Sequence, residues 1–220
     1  MDPDTVRQNT KELLASLPQG VTLVAAGKTR SPEELRAAIE AGVRIIGHNY
    51  VQEAERCIEA LGREIRWHCI GHLQRKKAKK AAQLFDMIET VDSKRIGAAL
   101  DQACAAAGKV MPILIEVNSA EEDNKYGVPP AEVAALVKEL AALDHLKVEG
   151  LMTMGPWTED PEEVRPYLRR TKELFDQMSE MRIPDVTMQH LSMGMSDSYL
   201  VAIEEGATMV RIGTRLFGPR

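Results

Sequence analysis

The stretch VTLVAAGKTRSPEELRAAIEAGVRIIGHN (21–49) contains the unit from which the rest of the chain is read. Its first seven residues form a continuous apolar run, the pattern of a strand buried on both faces. Ser31, Pro32 and Glu34 then supply an N-cap, a first-turn proline and a capping-box carboxylate, so a helix opens there. Gly42 stops that helix after AAIEA, and RIIGHN (44–49) is a second apolar strand. Strand, helix and strand at this spacing make a βαβ unit, which implies a parallel sheet.

The same alternation runs through the chain. Further strands are predicted at 65–71, 85–91, 110–118, 147–154, 187–193 and 208–213, which makes eight with the first two. Helices are predicted at about 51–61, 75–84, 93–107, 130–143, 161–181 and 196–205, with Gly62, Gly108 and Gly206 as terminators. No Pro/Gly/Ser-rich linker divides the 220 residues, a length that suits one α/β barrel. The predicted fold class is therefore α/β, a single-domain (β/α)8 TIM barrel over residues 1–220. Only seven helices lie between the strands, so the last strand is expected to have none after it. The helix at about 4–16 is expected to take the vacant place and cover the barrel, which puts the first strand beside the eighth.

Composition narrows the function. A net charge of −5 offers no basic field for nucleic acid or an anionic membrane, and 4% aromatic residues leave little for base stacking. Cys57, Cys69 and Cys104 show no CxxC spacing, which suits a reducing compartment. With no apolar run of about 18 residues and no apolar stretch in residues 1–20, a soluble, unprocessed, cytoplasmic protein is expected.

The unusual polar residues fall at the C-terminal strand ends, where the loops of a βα barrel converge on one mouth. Lys28 follows the first strand; taken alone it is either a solvated surface lysine or a desolvated amine suited to imine formation. LSMGMS (191–196) and RIGT (211–214) alternate Gly with Ser or Thr at the last two strand ends, where backbone N–H groups and hydroxyls can hold a phosphate. Ser196 and Asp197 serve equally well as N-caps of the helix at 196–205. His68 and His72 lack a third ligand for a metal, RKKAKK (75–80) reads as a solvated helix face, and a buried Glu116 requires a partner or the mouth.

Taken together, VAAGKT, GHNYVQE (47–53), WHCIGHLQ (67–74), EVNSAEEDNKYG (116–127), GLMTM (150–154), LSMGMSDSY (191–199) and VRIGTRLFGPR (210–220) closely resemble the pyridoxal phosphate (PLP) homeostasis protein family. That family is related to the barrel of bacterial alanine racemase, and the resemblance implies the alanine racemase N-terminal-domain-like fold (fold type III PLP). It also implies PLP as cofactor. Lys28 matches the lysine that holds PLP as an internal aldimine. Ser192, Gly194, Gly213 and Thr214 match phosphate-binding positions, and Arg211 matches the arginine facing the pyridine nitrogen. Asn49, His72 and Met152 match residues around the ring. Gly27 and His48 depart from the family's usual Ser and Glu, which bears on hydrogen bonding beside the cofactor.

An arginine does not give up its proton near neutral pH, so Arg211 leaves the pyridine nitrogen unprotonated and the ring a weak electron sink. A racemase also needs an acid/base on each face of the substrate carbon, and related racemases bring one from a second domain. The expected function is thus a PLP carrier or buffer that affects amino-acid balance, with PLP-dependent apo-enzymes as acceptors. No catalytic residue and no metal are assigned, and a monomer is expected. The alternatives are a low-activity amino-acid racemase and an aldolase that uses Lys28 without a cofactor.

Overall fold

The computed structural model describes residues 1–219. Eight parallel strands close into a barrel in sequence order: β1 (Thr22–Ala26), β2 (Ile45–His48), β3 (Arg66–Cys69), β4 (Met87–Val91), β5 (Met111–Glu116), β6 (Leu146–Met152), β7 (Val186–Ser192) and β8 (Met209–Ile212). The register of β1 on β8, Thr22 on Met209 through Ala25 on Ile212, completes the cylinder. Six strands lie inside the predicted ranges and are shorter, because residues at their ends turn into the loops, while β6 and β7 each begin one residue earlier than predicted.

The helices are α1 (Pro3–Ser16), α2 (Pro32–Glu40), α3 (Val51–Leu61), α4 (Ala78–Leu84), α5 (Lys94–Ala107), α6 (Val133–Ala141), α7 (Arg165–Glu180), α8 (Tyr199–Glu204) and α9 (Thr214–Phe217). α2 starts as its sequence directs: Ser31 Oγ accepts from the Glu34 N–H while Glu34 returns a bond to the Ser31 N–H. Two expectations need correction. A short helix, α9, does follow β8, because RLF buries Leu216 and Phe217 in the core. The helix predicted from 196 begins at Tyr199, preceded by Ser198, so neither Ser196 nor Asp197 is its N-cap. α1 packs against α2 and α9.

Most of the apolar core lies between sheet and helices. The barrel interior holds two smaller apolar groups, Val24, Ile45, Ile70 and Met209, and Met87, Leu114 and Met152. β6 bulges where its register on β7 shifts, and Gly150 makes this possible: at φ +154° a Cβ would stand 1.8 Å from the His190 carbonyl oxygen.

Candidate functional site

Lys28 follows β1 on a tight turn closed by the Arg30 N–H on the Gly27 carbonyl. Thr29 in that turn has φ +64°, a left-handed conformation that a β-branched residue adopts only under constraint. The constraint is visible in Arg30, whose guanidinium donates to the carbonyls of Phe217 at 2.9 Å and Gly218 at 2.5 Å. The chain's last helix therefore holds the lysine turn in place.

Across the β1–β8 seam lies a cradle of converging N–H groups. Ser196 Oγ accepts long bonds from the N–H groups of Gly213 (3.3 Å) and Arg215 (3.4 Å), which converge on it. Thr214, between those two donors, is exposed. A Cβ on Gly213 would lie 3.3 Å from the Ala26 Cβ, so the cradle abuts the strand that ends at Lys28. Gly194 supports this wall by packing: with φ +92°, a Cβ there would approach Ala202 Cβ to 2.5 Å. Its carbonyl accepts the Arg211 N–H.

Beside the cradle, a cavity of about 500 Å³ opens at the mouth and is lined by Asn49, His72, Glu116, Tyr126, Trp157 and Thr153 among others. His72 stacks on Tyr126 with centroids 3.7 Å apart. Gly71 lets the backbone of Asn49 come close, since a Cβ at 71 would sit 2.6 Å from the Asn49 Cα. Glu116 is 6% exposed, and burial, with Asp92 nearby, pushes its carboxyl up to about 7 against the opposing pull of Arg211.

The predicted residues divide accordingly. Gly194, Gly213 and Thr214 belong to the cradle, Lys28 follows the strand that the cradle abuts, and Asn49 and His72 line the cavity. Met152 is fully buried in the barrel interior with Met87 and Leu114. Arg211 is 3% exposed and donates to Ser192 Oγ at 2.6 Å, to the Thr153 carbonyl at 2.8 Å and to Met154 Sδ at 3.4 Å. Ser192 is buried, and its hydroxyl bonds Arg211 on one side and Glu89 on the other. Ser196 has its hydroxyl at the converging N–H donors of Gly213 and Arg215.

Gly27 and His48 also read differently in three dimensions. A Cβ on Gly27 would meet the His48 ring at 3.1 Å and Ile46 at 3.0 Å, on the helix-facing side of the sheet, where His48 stacks on Trp67. The two departures from the family pattern are in contact, and they concern packing behind β1 and β2, away from the mouth. Among the described residues no group of three His, Cys, Asp or Glu could hold a metal.

The model of the "Alanine racemase, N-terminal domain" family matches residues 1–220. A pyridoxal phosphate homeostasis protein of Aquifex aeolicus is 42% identical over 90% of this chain and 86% of its own. That of Escherichia coli is 37% identical over 92% of this chain and 87% of its own. The chain belongs to the pyridoxal phosphate homeostasis protein family, within the alanine racemase N-terminal domain family. Among solved members of similar shape is PipY of Synechococcus elongatus with PLP bound, 31% identical with a TM-score of 0.89 over 97% of this chain and all of that one. Alanine racemase of Clostridium difficile has a TM-score of 0.85 at 16% identity and shares the fold; this chain spans 57% of it.

Proposed function

We propose that this chain binds pyridoxal 5′-phosphate at the barrel mouth, covalently through Lys28, and serves as a carrier or buffer in PLP homeostasis without robust catalysis. The observation that carries the reading is the Ser196–Gly213–Arg215 cradle placed directly against the strand that delivers Lys28. The fit is chemical as well as spatial. The two N–H groups and the hydroxyl are held only by long bonds to one another, so they can turn to a phosphate at little cost. The family relatives named for PLP homeostasis, and PipY with PLP bound, support the same assignment.

When bound, PLP supplies an aldehyde that condenses with amines and a ring that accepts electrons when its nitrogen is protonated. Lys28 provides the attaching amine. Ser196, Gly213 and Thr214 hold the phosphate, with Gly194 shaping the wall behind them. Asn49 and His72, which line the cavity, would bound the ring, while Met152 belongs to the apolar interior of the barrel. Arg211 would serve as donor to the ring nitrogen and, as a guanidinium, would not transfer a proton to it, which would keep the ring a weak electron sink and argues against efficient turnover. On this reading residues 1–220 act as one PLP-binding domain, working as a cytoplasmic monomer with PLP-dependent apo-enzymes as acceptors. No helix among the described residues is long and apolar enough to cross a membrane.

One observation favours a second reading, a low-activity racemase: Glu116 lines the cavity and titrates at about 7, as an acid/base for one face of a substrate would. Purified protein incubated with PLP should absorb in the violet, and borohydride followed by peptide mass analysis should place a pyridoxyl group on Lys28. A colourless protein with no adduct would defeat both readings and leave the cofactor-free aldolase. Formation of D-amino acids from an L-amino-acid panel, lost in Glu116→Gln, would favour the racemase; PLP passing from the loaded protein to an apo-enzyme, with no D-product, would favour the carrier.

A further inference from the structure

Arg211 poses a problem in electrostatics. It is a permanent cation, 3% exposed, and its three side-chain hydrogen bonds go to a hydroxyl, a carbonyl and a thioether, none of which carries charge. A buried cation needs a counter-charge. That charge lies one hydrogen bond further away. Ser192 Oγ, 2.6 Å from Arg211 Nη1, is also 2.6 Å from Oε2 of Glu89, a β4 residue with no solvent exposure at the centre of the barrel. The second oxygen, Oε1, is 2.7 Å from His68 Nδ1 on β3.

The hydrogens in this chain can run only one way. A guanidinium donates and never accepts, so the Ser192 oxygen accepts from it, and the single hydroxyl hydrogen must go to Glu89. Burial raises the Glu89 carboxyl, but His68, Arg211 and Ser192 together outweigh it and hold the group below its ordinary range. The carboxylate is thus ionised, with both oxygens engaged. Strands β3, β4, β7 and β8 are pinned to one another through four side chains, and the long Arg211 side chain ends in a single orientation.

We propose that Glu89 is a positioning residue for the cofactor: acting through the Ser192 hydroxyl, it neutralises and aims the Arg211 guanidinium as the donor to the PLP ring nitrogen. This rests on the PLP reading above. It also gives Ser192 a role, as the bridge between two charges that do not touch.

The test follows bound PLP by absorbance across pH in wild type, Glu89→Gln, Ser192→Ala, Arg211→Gln and Glu89→Gln/Arg211→Gln, with folding checked by circular dichroism. Glu89→Gln keeps the shape and removes the charge, so the mouth becomes more positive and the bound cofactor should lose its proton at lower pH, by about one unit. Ser192→Ala strands both charges and should weaken PLP binding about tenfold or more. In the Arg211→Gln background Glu89→Gln should shift the transition by less than half as much, because only the direct field of the carboxylate remains and its hold on the guanidinium is gone. A folded Glu89→Gln with an unmoved transition and a Kd within about twofold of wild type overturns the proposal, as does an equal shift in both backgrounds. If Glu89→Gln does not fold, Ser192→Ala decides, and wild-type affinity there overturns it. Wild type that takes up no PLP on Lys28 is a different result: the cofactor reading falls first and takes this inference with it.

Discussion

Glu116 should make the stability of this protein fall as pH rises through neutrality. Its carboxyl closes β5 inside the mouth, 6% exposed, and titrates at about 7 instead of 4.5 because burial disfavours the charged form and Asp92 adds to the effect. At about 1.4 kcal/mol per unit, the displacement amounts to roughly 3 kcal/mol between the two protonation states in the fold. The unfolded chain releases this proton near 4.5 and the folded chain near 7, so in that window the folded state binds more protons. The stabilisation is full below 4.5 and gone above about 7. His48 acts in the opposite sense: burial lowers it from 6.5 to about 4, so the fold loses stability as pH drops through that range. The two windows overlap, and a wild-type curve alone would mix them. Glu116→Gln separates them, because the amide keeps the volume and removes the titration. Urea unfolding of both proteins without cofactor should show the variant gaining about 2.5 kcal/mol relative to wild type between pH 5 and pH 8. A relative change below about 0.5 kcal/mol would refute the claim that burial sets this carboxyl.

Three further outcomes are expected. Ser196→Ala should weaken PLP binding roughly tenfold to a hundredfold in an absorbance titration, the worth of one hydrogen bond to a charged group; an unchanged Kd would remove Ser196 from the cradle. Gly27→Ser should destabilise the fold by about 1–2 kcal/mol, and much of that loss should vanish when His48→Ala opens the space, so a double-mutant cycle with no coupling would contradict the contact. Gly150→Ala should cost more than about 3 kcal/mol in urea unfolding, since its Cβ would overlap the His190 carbonyl; a loss under about 1 kcal/mol would mean that β6 and β7 pair in another register.

The barrel was legible because each strand solves the same problem. Sandwiched between helices and a filled interior, β4 is buried at every position, and such strands show as unbroken apolar runs. The helix starts were legible where a cap announced them, as at Ser31, and misplaced at 196, where Gly194 and the serines of SMGMSDS offered several starts. α9 escaped notice because a single turn leaves no periodic pattern, and RLF shows its purpose only when Phe217 is seen in the core.

The site shows a sharper limit, which comes from parity. Inside the barrel, side chains two apart on a strand share a face, so Ser192 at the end of β7 is directed into the interior, while Ser196, four residues on, has left the strand for the mouth. A reading of LSMGMS as one Gly/Ser motif cannot separate the two. The lone carboxylate in MIETV was the available signal: Glu89 on a wholly buried strand requires a buried cation, and Arg211 is the one that RIGT supplies. Gly27 and His48 make the complementary point. Read one position at a time they look like two changes near the cofactor, but the ring of His48 fills the space that a side chain at Gly27 would need, so the two positions are coupled by packing behind the sheet. The lysine turn and the cradle are fixed by other contacts, the turn by Arg30 on the Phe217 and Gly218 carbonyls and the cradle by the close approach of Gly213 to Ala26.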